Sequence, residues 1–445
     1  MFHYATLLKS WLEAGKINRM SREQLLELQQ HKLREIVAWA YEQCPFYYDL
    51  YTKHGFKKEH IGTLKIDDLP IIDKSMLMKH FNDVVTDKKL TFNELEAYIQ
   101  GNDDPAHNYM GKYKILHTSG TSGKIGIFPT STNDVAYVLG RLLNRFAPVT
   151  FKHLFFKQKV AYFAATHGHF IGVTYLTAAP KASMKVKIFS ILDPLSDIVE
   201  ALNKFQPEEI TGYASSMEML AEQAEKGNLN IKPKTIVCGG DPLYQARRDK
   251  IRTAFNVEPR DTYSMTEGMG VANQLPGDDH LSIADDLYLI ETKPTRITNL
   301  YNKTFPIIRY QNDDVLDLMP NPDYSKRPFT QIEQIEGRDV DFLHITNNRG
   351  EQDMLHPAPL VEFYVEGLQK IQFWRQREQK ILVKAVSTPQ AQISNDEIKS
   401  RIFQKMIEIL KAKQAEKSMR INVLMVDDIP VDKRTGKFRL VNVEK

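Results

Sequence analysis

The stretch that decides the fold class spans residues 234–268 and reads KTIVCGGDPLYQARRDKIRTAFNVEPRDTYSMTEG. We interpret KTIVCGG as a strand, LYQARRDKIRTAF as a helix and DTYSM as the end of a second strand. Upstream, the predicted strands VAYFAA, KIFSIL and EEITGY alternate with the helix DIVEALNKF and with a helix that a Ser215–Glu218 capping box would open. This alternation predicts an α/β fold in which helices flank a mostly parallel sheet.

Two polar clusters follow strands of this sheet. CGGD occupies residues 238–241 and YSMTEG occupies residues 263–268. In open parallel sheets, ligands bind beyond the carboxyl ends of the strands. We therefore expect both clusters to contribute to one binding site.

One long segment carries no charge. Between Lys159 and Lys181 the chain reads VAYFAATHGHFIGVTYLTAAP, which is long enough to cross a bilayer. Its histidines, glycines and threonines favour two buried strands joined by a turn instead, so we expect no membrane span.

The two ends of the chain differ from the middle in their pattern of predicted helices and strands. Ser21 and Gln24 form a capping box before a helix that carries Leu26 and Leu33 on its apolar side and ends near Pro45. After Arg338 the chain contains the strand QKILVKAV, a helix opened by a Ser394–Glu397 capping box, and INVLMV as its last predicted strand. We therefore predict a large domain at 1–338 and a small α+β domain at 339–445.

The composition excludes several functional classes. The chain has 445 residues and a formal net charge of +3, which gives no reason to expect a nucleic-acid or membrane surface. Its two cysteines, Cys44 and Cys238, are far apart, which argues against a metal cluster and fits a reducing compartment such as the cytoplasm. The N-terminus lacks the basic and apolar regions of a signal peptide, so we expect no such leader.

Residues 116–126 read LHTSGTSGKIG and have the chemistry of an anion-binding loop. Glycines let the backbone approach an anion, hydroxyls donate hydrogen bonds, and Lys124 adds positive charge. The spacing does not match a Walker loop, and the chain contains no GxGxxG motif. A phosphate loop and a flexible polar connector both remain open at this point.

The order of the motifs resembles one family. TSGTSGK, CGGDPL, YSMTEG, RYQNDDV, EGRDVD and RTGKFR follow one another as they do in the adenylate-forming superfamily of acyl-CoA synthetases, adenylation domains and luciferases. HKLREIVAWAYEQCPFYYDLY and DDLPIIDK, in the first hundred residues, resemble the phenylacetate–CoA ligase branch, and within it the relatives of the deazaflavin-coenzyme adenylyltransferase. The resemblance implies a large adenylation domain and a small mobile C-terminal lid.

The resemblance also implies roles for individual residues. The loop would wrap the ATP phosphates, adenine would lie between the GGD strand end and Tyr263, and Asp314, not Asp313, would bind the ribose. Thr266 would contact the α-phosphate, Glu267 would bind Mg²⁺, Arg338 would reach the nucleotide, and Lys437 would be the catalytic lysine. The implied nucleotide-binding set is Thr118, Ser119, Gly120, Thr121, Ser122, Gly123, Lys124, Gly239, Gly240, Asp241, Tyr263, Ser264, Asp314 and Arg338.

The substrate pocket is less defined. His167, His169, Phe170, Tyr213 and Ala214 are candidates because they stand at predicted strand ends, although core residues would show the same pattern. The chain departs from the family at Ser264, where many members have Gly, and at Val340 in the hinge motif. It also lacks the cysteines of relatives that hold a zinc cluster.

These observations predict an ATP- and Mg²⁺-dependent, AMP-forming acid ligase. A small-molecule carboxylic acid, for which an aromatic acid is one candidate, would become an acyl-adenylate and then a thioester with coenzyme A or a carrier-protein phosphopantetheine. A homodimer is compatible with this prediction. The alternatives are an adenylyltransferase that moves AMP onto a hydroxyl group, and a nucleotide-binding protein without catalysis.

Overall fold

The structure is a computed structural model. It describes residues 3–118, 125–146, 157–166, 168–292, 294–312, 314–336, 343–355, 359–360, 363, 365–376, 379–389, 391–429 and 440–443. The helices are α1 Tyr4–Ile17, α2 Arg22–Gln43, α3 Pro45–Lys53, α4 Lys74–Lys79, α5 Phe81–Val84, α6 Phe92–Gly101, α7 Thr132–Phe146, α8 Ile171–Thr177, α9 Leu195–Phe205, α10 Ala214–Glu225, α11 Gln245–Phe255 and α12 Asn395–Ala412. The strands are β1 Tyr113–His117, β2 Ile127–Ser131, β3 Gln158–Ala164, β4 Met184–Ser190, β5 Glu209–Tyr213, β6 Thr235–Gly239, β7 Arg260–Met265, β8 Gly268–Gln274, β9 Leu281–Ile283, β10 Tyr288–Glu291, β11 Arg296–Asn299, β12 Tyr310–Gln311, β13 Val315–Leu318, β14 Gln331–Glu336, β15 Leu343–Thr346, β16 Gln352–Leu355, β17 Leu368–Gln376, β18 Lys380–Ser387, β19 Arg420–Met425 and β20 Val441–Val443.

The central sheet has the strand order β13-β14-β9-β8-β7-β6-β5-β3-β4. Strands β4, β3, β5, β6 and β7 run parallel, which confirms the predicted α/β fold. From β7 to β13 the pairing is antiparallel. The switch occurs because only Thr266 and Glu267 separate β7 from β8, and a connection this short can join only antiparallel strands.

The first of the two strands predicted in the uncharged segment is confirmed as β3, but residues 171–177 form the helix α8, so the prediction of a second strand is wrong. Helix α8 packs tightly on β3, because a Cβ atom added to Gly172 would lie 2.2 Å from the Tyr162 hydroxyl oxygen. Val173 and Tyr175 are buried. Tertiary packing thus overrides the strand preference of these β-branched and aromatic residues.

The described helices are short or polar relative to the thickness of a bilayer. None of them combines the length and the apolarity that a membrane crossing requires.

Two of the three predicted N-caps are confirmed. The Ser21 hydroxyl accepts a hydrogen bond from the Gln24 amide, and the Ser394 hydroxyl accepts one from the Glu397 amide. The Ser215 cap is wrong, because α10 already begins at Ala214 and has no side-chain cap from the residue that precedes it.

The apolar stripe of α2 also differs from the prediction in one position. Leu25, Leu33, Ile36, Val37 and Ala40 are buried, whereas Leu26 is 42% exposed. The buried face therefore begins one residue earlier than the sequence pattern suggested.

Helix α1 packs along α7, and a buried charge cluster lies beside this contact. Asp286 is fully buried, and its carboxylate lies 2.8 Å from Arg145 Nη2 and 3.3 Å from Arg141 Nε. Burial would raise the pKa of Asp286, but Arg145, Arg141 and Lys32 outweigh it and lower that pKa. The cluster connects α7 to the segment between β9 and β10 through a carboxylate that stays ionised.

The described residues beyond 342 have a hydrophobic core of their own, centred on β17, β18 and α12. Strand β20 follows β19 and pairs with β17, so INVLMV is not the last strand. These residues contact the central part of the chain through Lys413, whose Nζ donates to Asp353 Oδ1 at 3.2 Å and to the Asp193 carbonyl at 3.0 Å. The division at 338 stays a prediction.

Candidate nucleotide-binding site

Strands β1 and β2 form a hairpin that presents the Gly/Ser/Thr loop. The Thr118 amide donates to the Gly126 carbonyl at 2.9 Å, and the Gly126 amide donates to the Thr118 hydroxyl at 2.9 Å. These two bonds close the neck of the loop. Ser119, Gly120, Thr121, Ser122, Gly123 and Lys124 lie outside the described residues.

The carboxyl ends of β5, β6 and β7 lie side by side, as the sequence predicted. Tyr213 pairs with Gly239, and Gly239 pairs with Thr262, which precedes Tyr263. A Cβ atom on Gly239 would lie 2.6 Å from the Thr262 methyl group, and one on Gly240 would lie 2.6 Å from the Tyr213 ring. Gly240 also has a φ of +78°, which favours glycine. This strand end therefore admits no side chain at either glycine.

Asp241 and Ser264 have structural partners. The Ser215 amide, in the first turn of α10, donates to Asp241 Oδ2 at 3.2 Å, so the carboxylate interacts with the N-terminus of that helix. Burial raises the pKa of Asp241. The Ser264 hydroxyl accepts the Gly270 amide at 2.9 Å and thereby stabilises the β7–β8 hairpin.

Thr266 and Glu267 are the two turn residues of the β7–β8 hairpin. The Glu267 side chain is buried, and its Oε1 accepts the Tyr310 hydroxyl at 2.8 Å. Burial raises the pKa of Glu267, while the Tyr310 hydroxyl and the charge of Lys74 oppose that rise. A buried carboxylate with lone pairs left on its two oxygens is a suitable ligand for a hard cation such as Mg²⁺.

YSMTEG and RYQNDDV each contain a tyrosine followed by an acidic residue four positions later, and these residues pair crosswise. The Tyr263 hydroxyl donates to Asp314 Oδ2 at 2.6 Å, and the Tyr310 hydroxyl donates to Glu267 Oε1 at 2.8 Å. Asn312 Nδ2 also donates to Asp314 Oδ2 at 3.2 Å. Each of the two carboxylates is thus fixed by a tyrosine of the other motif.

Lys74 joins the loop to this pair of motifs. Its Nζ donates to the Thr118 hydroxyl at 3.0 Å, and its charge opposes the burial that raises the pKa of Glu267. Its Cε atom would lie 2.8 Å from a Cβ atom on Gly126. The structure therefore brings a cation from the first hundred residues to the neck of the loop and near the buried carboxylate.

The candidate pocket residues divide by burial. Phe170 is half-buried and packs on His117 with ring centroids 4.8 Å apart, and Tyr213 packs against Gly240. Ala214 and His169 are fully buried. His169 Nε2 lies 2.7 Å from the Asn102 carbonyl and donates to it, and burial lowers the pKa of the ring. Phe170 and Tyr213 thus remain the better placed of these four candidates.

Several predicted residues lie outside the part of the chain that the structure describes. They are His167, Asp313, Arg338, Val340 and Lys437.

Sequence reasoning assigned no role to Lys74 or Tyr310, although both stand in motifs that it singled out. A lysine after DLPIID looks like any solvated lysine at the start of a helix. The shared spacing of tyrosine and acid in YSMTE and YQNDD is the signal that could have identified Tyr310.

Comparisons with known proteins identify distant relatives of the chain. No protein-family model matches the chain. Protein CapK of Staphylococcus aureus is 23% identical over 413 residues, which are 86% of this chain and 81% of that protein. Phenylacetate-coenzyme A ligase of Thermus thermophilus is 24% identical over 358 residues, which are 74% of each chain.

Solved structures of a CoA ligase are similar to this chain in fold. A 2-hydroxyisobutyryl-CoA ligase with 2-HIB-AMP and CoA in the thioesterification state has a TM-score of 0.59 at 18% identity, covering 96% of this chain and 91% of that one. The open conformation of that ligase has a TM-score of 0.56 at 17% identity, covering 93% and 90%. The predicted resemblance to the adenylate-forming superfamily is confirmed at the level of the fold.

Proposed function

On the premise that this chain has the adenylate-forming ligase fold, we propose that it is an ATP-dependent, AMP-forming carboxylic acid ligase. The acid would first become an acyl-adenylate and then a thioester with coenzyme A or a carrier-protein thiol. The observation that carries this proposal is the crosswise pairing of Tyr263 with Asp314 and of Tyr310 with Glu267, beside the neck of the loop. The curated and solved relatives named as CoA ligases support the same reaction class.

The residues of this chain would mainly position charged groups. The loop from Thr118 to Lys124 would hold the ATP phosphates, and Asp314 would accept the ribose hydroxyls. Glu267 would hold Mg²⁺, which would neutralise phosphate charge as the acid carboxylate attacks the α-phosphorus and pyrophosphate leaves. Lys437 and Thr266 would stabilise the negative charge that develops on the α-phosphate. Phe170 and Tyr213 would line the acid pocket.

The cellular setting belongs to the same proposal. Both cysteines are buried and free, and burial raises the thiol pKa of each, to about 12 for Cys44. Unpaired, unreactive thiols suit a reducing compartment, so we place the enzyme in the cytoplasm.

One experiment tests the reaction class. The protein is incubated with ATP, labelled pyrophosphate and a panel of aromatic, aliphatic and hydroxylated acids to measure pyrophosphate exchange, and in a second reaction with ATP labelled at the α-phosphate to follow the AMP group. An acid ligase should release free labelled AMP once a thiol is supplied, and hydroxylamine should convert its acyl-adenylate into a hydroxamate. Label in a product that resists hydroxylamine would instead identify an adenylyltransferase, because a phosphate ester of a hydroxyl group is not a mixed anhydride.

Lys74→Met is expected to raise the KM for ATP in pyrophosphate exchange by about tenfold to a hundredfold. The reason is that a hydrogen bond to a charged group is worth about 1.5–3 kcal/mol, and Lys74 lies beside the loop that would hold the phosphates. Lys79→Met is the matched control, since Lys79 is an exposed lysine of the same short helix. Equal KM values for the two variants would remove Lys74 from the nucleotide site.

A further inference from the structure

Tyr310 is held in place from both sides along its backbone. It pairs with Ile297 in β11, and on its other side it bridges Ile72 in parallel. The Ile72 amide donates to the Arg309 carbonyl at 3.2 Å, and the Gln311 amide donates to the Ile72 carbonyl at 2.9 Å. The residue therefore stands between two chain segments that are distant in sequence.

The residue before it is also fixed. Arg309 has a φ of +51°, a left-handed conformation that is uncommon for a side chain of this size. Its guanidinium donates to Glu291 Oε1 at 3.0 Å, to the Asp67 carbonyl at 3.1 Å and to the Leu69 carbonyl at 2.5 Å. Strained conformations persist where the surroundings determine them fully, and they are frequent near functional sites.

These backbone contacts place the Tyr310 hydroxyl next to Oε1 of the Glu267 carboxylate. The ring is 4% exposed and Glu267 is 9% exposed, so neither group has much freedom to rotate. The turn that carries Glu267 is supported separately. The Asn299 side chain donates to the Glu267 carbonyl at 3.2 Å, and the Tyr288 hydroxyl donates to the Met269 carbonyl at 2.8 Å. Among the described side chains, the Tyr310 hydroxyl donates directly to this carboxylate, which also interacts with the Glu267 backbone.

We propose that Tyr310 is a positioning residue that orients the Glu267 carboxylate for the metal ion carried by ATP. The inference rests on the proposed function, because it takes Glu267 as the metal ligand. The inference adds that the orientation of the Glu267 carboxylate depends on the hydroxyl of Tyr310, which belongs to the other motif. Groups that orient a metal ligand affect metal affinity about 10- to 100-fold when they are removed.

The test is the affinity of Mn²⁺ for the protein complexed with an ATP analogue whose α–β bridge cannot be cleaved. Bound Mn²⁺ is detected by its effect on the relaxation of water protons, so no acid and no turnover are required. Tyr310→Phe should weaken Mn²⁺ binding about 10- to 100-fold. In a Glu267→Gln background the same change should alter the affinity by no more than about twofold, since the two residues would act as one unit.

Tyr47→Phe is the matched control. Tyr47 is fully buried, and its hydroxyl donates to the Pro306 carbonyl at 2.9 Å in the same segment, away from Glu267. It should leave Mn²⁺ affinity unchanged while costing a comparable amount of stability. Tyr310→Met replaces Tyr310→Phe if the latter protein does not fold.

The outcomes separate the two proposals. Wild-type protein that binds neither the analogue nor Mn²⁺ would overturn the proposed function and this inference with it. Wild-type binding that Tyr310→Phe leaves intact would overturn the positioning role alone. So would an equal loss in Tyr47→Phe, or a loss that adds to that of Glu267→Gln, because either result would mean that Tyr310 acts through general packing.

Discussion

Replacing Lys437 by alanine is expected to slow acyl-adenylate formation by about 100- to 1,000-fold while ATP affinity stays within a few fold of wild type. The motif RTGKFR implies that this lysine acts on the charge that develops at the α-phosphate. Removal of one donor from such a site typically costs about 2.7–4 kcal/mol in the transition state. The measurement is pyrophosphate exchange with the best acid of the panel, together with calorimetry of ATP binding.

Lys433→Ala serves as the control, because Lys433 lies four residues before Lys437 in the sequence and outside the motif RTGKFR. It should retain nearly full exchange. A Lys437→Ala protein whose exchange rate stays within tenfold of wild type would show that the catalytic lysine has been wrongly assigned.

The second large effect concerns stability. Asp286→Asn is expected to lower the free energy of unfolding by about 3–5 kcal/mol, because it removes the anion and leaves Arg141 and Arg145 buried without it. Chemical denaturation at pH 7 measures the change. Glu366→Gln is the control: its partner Arg401 is exposed, and exposed pairs contribute about 0–1 kcal/mol. A loss below about 1 kcal/mol for Asp286→Asn would mean that the cluster adds nothing beyond a surface pair.

The loss of stability in Asp286→Asn should depend on pH. The folded pKa of Asp286 is lowered below that of the unfolded chain, so ionised Asp286 contributes stability above the unfolded pKa of about 3.9. That contribution disappears as the pH falls through the lower folded pKa. The stability gap between wild type and Asp286→Asn should therefore be constant from pH 7 to pH 5 and should narrow below about pH 4.

The sequence predicted features that depend on local pattern. The parallel strands, the ends of β6 and β7 and the caps at Ser21 and Ser394 follow from short-range periodicity and side-chain chemistry. The sequence-based prediction failed where tertiary packing determines the secondary structure. Residues 171–177 form the helix α8, in which Gly172 allows close contact with Tyr162. The antiparallel half of the sheet follows from a two-residue turn that the βα pattern did not reveal.

The sequence also predicted one part of the candidate site, the cluster of residues at the strand ends. Tyr213, Gly239 and Tyr263 lie at adjacent strand ends because consecutive parallel strands bring their carboxyl ends together. The contacts of Lys74 could not be predicted, since they depend on a bridge between Ile72 and Tyr310 that no local pattern encodes, whereas the tyrosine–acid spacing of the two motifs was an unused signal for Tyr310. The roles of the nucleotide-binding residues and of the small domain remain predictions.

The bridge between Ile72 and Tyr310 also has a consequence for biosynthesis. Asp67 and Arg309, which bond beside it, are separated by 242 residues. At about 5–20 residues per second, the ribosome would need roughly 10 to 50 s to supply the later partner. During this time the first hundred residues would lack their later packing partners, and tyrosines that are buried in the folded protein, such as Tyr47 and Tyr51, would be exposed in the nascent chain. A protease pulse during translation should therefore cleave this segment until the RYQNDDV motif has left the exit tunnel.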